Sequence, residues 1–359
     1  MKVLIYGGAF NPIHLAHIKM MEQATKELNV DKLIIVPNKE VHFKNNDNVI
    51  AFSKRKMMIE MALEKGEFNC EVVISDIEEK QANKVYTIDL IKMLKKEDSQ
   101  SKFYFLIGSD HVAKLKDWYE IDNLKKEVTF IVGKRTNDFQ SNEFIVINNE
   151  VLDYSSTLIR NKYQSSGLIK IDAFIRYYGL YLNEVLKQYL KPSRINHSQN
   201  VALLAQKKAT LYGIDSNKAY VAGMLHDIGK YLSLDKQYRL VKDDMVFELN
   251  DQTIHAYSAV HIVKDELKIN DKDILEAIKW HTTGYYEMKP LSKLIYVCDM
   301  LSADRHFDGI EQLRECLNKN LDECFKQCFL ASVAYLKEKR IVISKELNDL
   351  SLKIERDEV

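Results

Sequence analysis

Two histidines three residues apart, His14 and His17, follow a glycine pair in Gly7-Gly8-Ala9-Phe10-Asn11-Pro12-Ile13-His14-Leu15-Ala16-His17. The apolar run Val3-Leu4-Ile5-Tyr6 stands directly before this stretch. Glycines let backbone N–H groups approach a phosphate, and a helix start adds the positive end of its dipole. Imidazoles at His14 and His17 can then face the same anion. The order strand, turn, helix start therefore predicts a nucleotide triphosphate site. A second stretch, Tyr154-Ser155-Ser156-Thr157-Leu158-Ile159-Arg160, puts hydroxyls at another expected helix start. Such hydroxyls cap a helix or bind phosphate. Arg160, one turn later, offers a fork of donors to phosphate oxygens.

A different chemistry is written further along. Leu225-His226-Asp227-Ile228-Gly229-Lys230 sets an adjacent His-Asp pair among apolar residues of a helical pattern. An unpaired carboxylate is costly there, and a divalent cation would satisfy it. His197, His255, His281 and Asp299 lie in other helical stretches that can converge on the same centre. Neutral imidazoles with carboxylates suit Fe, Mn, Co or Zn over Ca or Mg. The set is large enough for two ions with Asp227 between them.

The elements that must carry these residues differ between the two halves. Val3–Tyr6, Leu33–Val36, Glu71–Ile74, Phe103–Ile107, Val128–Val132 and Phe144–Ile147 read as strands, with helical patterns near 15–28, 53–65 and 86–96. This alternation predicts an α/β domain, a Rossmann-like parallel sheet with helices on both faces. From about residue 170 helical patterns dominate, over roughly 170–190, 194–212, 216–232, 254–268, 271–281, 290–303 and 309–345. A short interruption is expected at Gln237–Asn250. The reading divides the chain at Pro192-Ser193, a helix stop and start, into 1–190 (α/β), 191–345 (all-α) and a charged tail, 346–359, expected to fray.

Totals bound the rest. The 359 residues carry 52 basic and 52 acidic side chains, a formal net charge of zero, which argues against nucleic acid as a partner. No apolar run nears the roughly 20 residues that span a bilayer, so no membrane partner is expected. The N-terminal run is too short for a signal peptide. Five cysteines, Cys70, Cys298, Cys316, Cys324 and Cys328, form no CxxC pair and read as reduced thiols of a cytoplasmic protein. Cys324 and Cys328, four apart on a helical pattern, read as packing residues. Assembly into a homo-oligomer is left open.

The first two motifs together resemble the nucleotidylyltransferase superfamily, with its GxFxPxHxxH and ISSTxIR loops. Within it the likeness is to nicotinate mononucleotide adenylyltransferases, over about residues 1–190. Phe52–Leu63, Val85–Asp89, Ile107–Asp110, Trp118 and Val132–Arg135 add to it. The resemblance implies that Gly7, Gly8, Phe10, His14, His17, Gly108, Asp110, Ser156 and Arg160 hold ATP with Mg²⁺. It implies that Tyr86, Thr87, Trp118 and Arg135 lie toward nicotinate mononucleotide, Trp118 offering a stacking face. The acceptor phosphate attacks the α-phosphorus of ATP, and His14, His17, Lys44 and Arg160 are assigned to the charge on the oxygens. One stretch departs from the family. Pro37-Asn38-Lys39-Glu40-Val41-His42-Phe43-Lys44 stands where relatives carry Pro-Pro-His-Lys, which leaves another acceptor, such as a pantetheine phosphate, as the alternative.

The second half resembles the HD-domain phosphohydrolases, and among them the symmetrical diadenosine tetraphosphatases, over about 190–345. Arg194–Ser198, Trp280–Gly284, Tyr296–Asp299 and Ala303–Arg305 carry the likeness. It implies one metal on His197, His226, Asp227 and Asp299 and a second on Asp227, His255 and His281, iron foremost. Lys230 and Arg305 would contact phosphate, and water activated at the metals would cleave diadenosine tetraphosphate into two ADP. The alternatives are a nucleotide-sensing module or a hydrolase of a different nucleotide. His42, His111, His261 and His306 match no motif and are read as ordinary surface or packing residues.

Overall fold

The structure, a computed structural model, describes residues 1–39, 49–242 and 250–356. The chain divides into two compact units, Met1–Phe174 and Ile175–Val359.

The first unit runs β1 (Lys2–Gly8), α1 (Leu15–Leu28), β2 (Lys32–Pro37), α2 (Phe52–Leu63), β3 (Glu71–Ile74), α3 (Thr87–Glu97), β4 (Lys102–Gly108), α4 (Ile121–Glu127), β5 (Thr129–Gly133), β6 (Ile145–Ile147) and α5 (Ser156–Lys162). A 3₁₀ stretch, Ser109–Asp117, follows β4. The strands form one six-stranded parallel sheet in the order β3-β2-β1-β4-β5-β6. Strand side chains alternate between its faces. Val3, Ile5, Ile34, Val36, Phe103, Phe105, Phe130 and Val132 pack in one cluster with Ile88, Ile91 and Leu94 of α3 and Leu124 of α4. The intervening Leu4, Leu33, Ile35, Leu106 and Ile131 are just as buried, and α1 and α2 pack against the strands outside that cluster. Burial on both faces requires unbroken apolar strands, as the sequence has them. Each such side chain contributes about 1.5–3 kcal/mol.

The second unit begins within α6 (Ile169–Tyr177) and continues through α7 (Leu182–Leu186), α8 (Pro192–Ala209), α9 (Ser216–Leu225), α10 (Leu234–Val241), α11 (Ile254–His261), α12 (Lys272–Trp280), α13 (Pro290–Leu301), α14 (Ile310–Cys316), α15 (Leu321–Glu338) and α16 (Lys345–Glu355). The division therefore falls earlier than 190. The cause lies in residues 176–190: Arg176 Nε donates to Leu267 O, Tyr177 Oη to Asp215 and Tyr189 Oη to Glu266.

Two glycines set how closely the helices approach. A Cβ on Gly223 of α9 would lie 2.6 Å from Ala202 Cα of α8. One on Gly229 would lie 2.5 Å from the His255 carbonyl oxygen of α11. Both contacts are with backbone, so a side chain at either position would force the elements apart.

Two further expectations change. Gln237–Val241 is helix, not an interruption, because Ser233 caps α10 and Gln237 and Val241 are buried. Residues 243–249 lie outside the described residues. The tail is also helix over Lys345–Glu355. Ser344 Oγ accepts from Leu347 N, and Leu350 and Ile354 are buried at helical spacing. Among the described residues no helix is long and apolar enough to cross a membrane.

Candidate active sites

The sheet order reverses at β1 and β4, where connections leave in opposite directions. In open α/β sheets this opens a crevice at the carboxyl ends of the strands. A cavity of about 860 Å³ lies there, and Gly7, Gly8, Phe10, His14, His17, Gly108, Asp110, Ser156 and Arg160 all line it. So do Tyr86, Thr87, Trp118 and Arg135. Lys44 lies outside the described residues.

β1 ends at Gly8, and His14 is the N-cap of α1. The first turn of α1 holds no acidic side chain, so the positive end of its dipole is uncompensated. The His14 N–H donates to His17 Nδ1 at 3.2 Å, and the two rings stack 3.7 Å apart. Burial, reinforced by the Arg135 charge, pushes His14 down to about 3. Burial, then His14 and Arg135, holds His17 well below its ordinary value. Both rings are thus neutral at pH 7 in the free protein. His14 Nδ1 is buried with no hydrogen-bond partner among the described residues. A buried polar atom at a cavity wall is suited to meeting a ligand.

Ser156 and Arg160 act first on the loop itself. Ser156 Oγ donates to Pro12 O at 2.9 Å, and Arg160 Nη1 donates to Asn11 O at 2.6 Å. Arg160 Nη2 also donates to Thr157 Oγ1 at 3.3 Å. The second motif thereby clamps the first. Arg135 is held by a bond from its N–H to Ser109 Oγ, and its Nε lies 3.6 Å from Asp110 Oδ1.

The other end of the cavity is aromatic. Trp118 stands edge-on to Phe105 and Phe130, 6.0 and 6.2 Å between centroids. Tyr86 lies 4.4 Å from the Tyr119 ring, with the Lys84 ammonium 4.9 Å from its centroid. Asp89 accepts from the Tyr86 N–H and fixes the start of α3, where Thr87 stands.

Sequence reasoning missed Glu78, Tyr119 and Tyr154 as lining residues and set His111 aside, yet all four line the cavity. Tyr154 was within reach, being the first residue of its motif. Glu78 had no local signal. It is recruited through space by Asn38 Nδ2 and the Lys39 N–H, and burial raises its carboxyl despite them.

In the helical unit, α8 supplies His197, the end of α9 His226 and Asp227, α11 His255, the end of α12 His281, and α13 Asp299. The structure brings all six together. His197 Nε2 lies 2.8 Å from Asp299 Oδ1, and His226 Nε2 lies 3.5 Å from Asp227 Oδ2 and 4.0 Å from Asp299 Oδ1. His255 and His281 approach Asp227 Oδ1 at 3.2 and 3.6 Å. Two sets, His197-His226-Asp299 and His226-Asp227-His281, have ligand atoms within 4.8 Å of one another.

The tautomers follow from the backbone. His226 Nδ1 donates to Gly223 O and His281 Nδ1 to Ile278 O, each at 2.7 Å. A carbonyl only accepts, so in the neutral rings both Nε2 atoms carry a lone pair toward the carboxylates. His226 Nε2 is buried with no hydrogen-bond partner among the described residues. Inward-facing lone pairs beside two carboxylates are a donor set that fits divalent transition-metal ions.

Cations flank this set. Arg194 Nη1 donates to Asp227 Oδ2 at 2.9 Å and Arg305 Nη2 to Asp299 Oδ1 at 2.8 Å. Lys230 Nζ lies 3.2 Å from His255 Nε2 and 3.9 Å from Asp227 Oδ1. Burial lowers the Lys230 ammonium, and His255 falls to about 4 for the same reason. Arg194 and Asp304 lie in segments that carry the family likeness but received no role from sequence. Cys324 and Cys328 are buried with Sγ atoms 4.0 Å apart, and all five cysteines are free thiols. His261 is half-buried beside Asp265.

Comparison with known proteins matches both halves. A cytidylyltransferase-like family model matches residues 5–162, and an HD domain model matches 194–304. A Mycoplasma genitalium protein named probable nicotinate-nucleotide adenylyltransferase/Ap4A hydrolase is 30% identical over 93% of this chain and 97% of its own. A Mycoplasma pneumoniae protein of the same name is 28% identical over 84% of this chain and 89% of its own. Among solved structures, an HD superfamily hydrolase from Clostridium acetobutylicum is 27% identical at a TM-score of 0.45, covering 49% of this chain and 96% of its own. Matched over nearly its whole length to such a relative, with a cytidylyltransferase-like half followed by an HD half, the chain belongs to the family of two-part nicotinate-nucleotide adenylyltransferase/Ap4A hydrolase proteins.

Proposed function

We propose that the first unit transfers the adenylyl group of ATP to nicotinate mononucleotide, giving deamido-NAD and pyrophosphate. One observation carries this: the glycine-histidine loop and the Tyr86–Trp118 aromatic end line the same cavity at the sheet's reversal point. An oxygen of the mononucleotide phosphate forms a bond to the α-phosphorus of ATP as the bond to the bridging oxygen breaks, and that oxygen's electrons leave with pyrophosphate. No enzyme nucleophile is needed; alignment and charge stabilisation supply the rate. Mg²⁺, bound with ATP, would neutralise phosphate oxygens. The neutral His14 and His17 donate N–H groups or take up a proton as the triphosphate arrives. Trp118 offers its face to the pyridine ring, and the Arg135 guanidinium bears on the acceptor's anionic groups.

The second unit is proposed to hydrolyse diadenosine tetraphosphate symmetrically to two ADP. His197, His226, Asp227 and Asp299 would hold one divalent ion and Asp227, His255 and His281 a second; iron is the proposed metal, with manganese or cobalt as substitutes. Bound there, such ions would supply Lewis-acid stabilisation of phosphate oxygens and a lowered water pKa. Arg305 and Lys230, which lie beside Asp299 and Asp227, would contact the polyphosphate. Five free thiols suit a reducing cytoplasm.

The test is a substrate panel on the full chain. ATP is offered with nicotinate mononucleotide, nicotinamide mononucleotide or pantetheine phosphate, and pyrophosphate is followed. Diadenosine polyphosphates are offered in parallel with ADP as readout. Release with nicotinate mononucleotide at least tenfold above the other acceptors supports the reading. Preference for pantetheine phosphate would refute the acceptor, and absence of ADP from the metal-loaded protein the hydrolase.

A further inference from the structure

His197 differs from its neighbours in what holds its outer nitrogen. His226 and His281 each give Nδ1–H to a backbone carbonyl of their own helix. His197 Nδ1 instead meets a carboxylate, Asp304 Oδ2, at 2.7 Å, while its Nε2 faces Asp299. Asp304 lies in the turn after α13, so this hydrogen bond joins two elements. Asn200, one turn beyond His197 on α8, donates to Asp304 Oδ1 at 3.0 Å and fixes the carboxylate's orientation. His197 is 4% exposed, so its ring has no alternative solvent partner at Nδ1.

We propose that Asp304 is a positioning residue of the helical centre: its carboxylate holds His197 with Nδ1–H outward and the Nε2 lone pair inward for a divalent cation. The inference rests on the metal reading above. A carboxylate behind a ligating imidazole fixes the tautomer, steadies the ring and raises its basicity.

The experiment titrates the metal-stripped full chain with Mn²⁺ in wild type, Asp304→Ala and Asp304→Asn, by competition with a fluorescent chelator. Loss of such an outer partner typically costs 10–100-fold in affinity. Asp304→Ala should show a loss of about that size at one site, and Asp304→Asn less, because the amide oxygen still accepts from Nδ1–H without a charge. The visible bands of Co²⁺-loaded protein should shift in the same order, with the metal-free Tm unchanged. Wild-type Mn²⁺ affinity in both variants would overturn the proposal. So would an affinity loss matched by a fall in metal-free Tm, the mark of a mere brace between α8 and the turn. If Asp304→Ala does not fold, the Asn variant decides. A wild-type chain that binds no Mn²⁺ would overturn the metal reading itself, a result distinct from equal binding by all three.

Discussion

The two sites handle buried charge in opposite ways. The sheet crevice holds its histidines uncharged, stacked on each other and backed by a helix start, and its cationic side chains are Lys84, Arg135 and Arg160. The helical centre gathers carboxylates, imidazoles, Arg194, Lys230 and Arg305 into one packed cluster. The first arrangement suits a substrate that brings its own charge and leaves again. The second suits resident ions, because so dense a set of donors is costly unless cations occupy it. The contrast also explains the scaffolds. Loops at strand ends can admit and release a nucleotide, whereas ligands fixed on five helical elements hold a geometry.

The contrast can be broken most sharply at Asp227. Asp227→Ala should lower diadenosine tetraphosphate hydrolysis by roughly 10³-fold or more, the several kcal/mol that such ions supply. Adenylyl transfer, assayed with Mg²⁺ restored, should stay at the wild-type rate. Hydrolysis that persists in this variant would remove the metal centre from the mechanism. The next largest effect belongs to the crevice. His17→Ala should cut adenylyl-transfer turnover by roughly 10²–10³-fold, as for a charge-stabilising donor, while ATP affinity changes only a few-fold. A variant whose ATP affinity falls as far as its turnover would make His17 an ordinary binding residue.

The smallest effect is on stability and follows from sign. The unfolded chain takes up protons on His14 and His17 near 6.5, whereas folded His14 does so only near about 3. Stability of the first unit is therefore whole above pH 6.5 and is lost progressively as pH falls from 6.5 toward 3. His14→Gln/His17→Gln should show a smaller drop in urea midpoint between pH 7 and 5 than wild type. Trp118 fluorescence in a Trp280→Phe background can follow it. An unchanged drop would mean that the two rings are not buried neutral.

Much of this was legible because the signals are local. Six apolar runs gave six strands, since strands covered on both faces must be apolar throughout. His226-Asp227 stood out because a carboxylate among apolar residues demands a partner. The missed features are those made by chain segments meeting at a distance. Asp304 becomes part of the centre only when the turn after α13 reaches α8, 107 residues back along the chain. Glu78 is drawn into the crevice by Asn38, 40 residues earlier. The tail misled for another reason: its charge obscured Leu350 and Ile354, whose helical spacing decides its structure.

The clamp from Ser156 and Arg160 onto the carbonyls of Pro12 and Asn11 bears on how the enzyme comes into being at the ribosome. The bonds close loops of 144 and 149 residues. The glycine-histidine loop emerges first and can be held early by Arg55 at Ala9 O, yet this later clamp is absent until nearly the whole first unit has been made. A nascent chain ending before Ser156 contains all six strands and the Arg55 tie to Ala9 O, and lacks the two bonds onto Pro12 and Asn11. The clamp on this loop thus forms late in synthesis, after every strand of the sheet has been made.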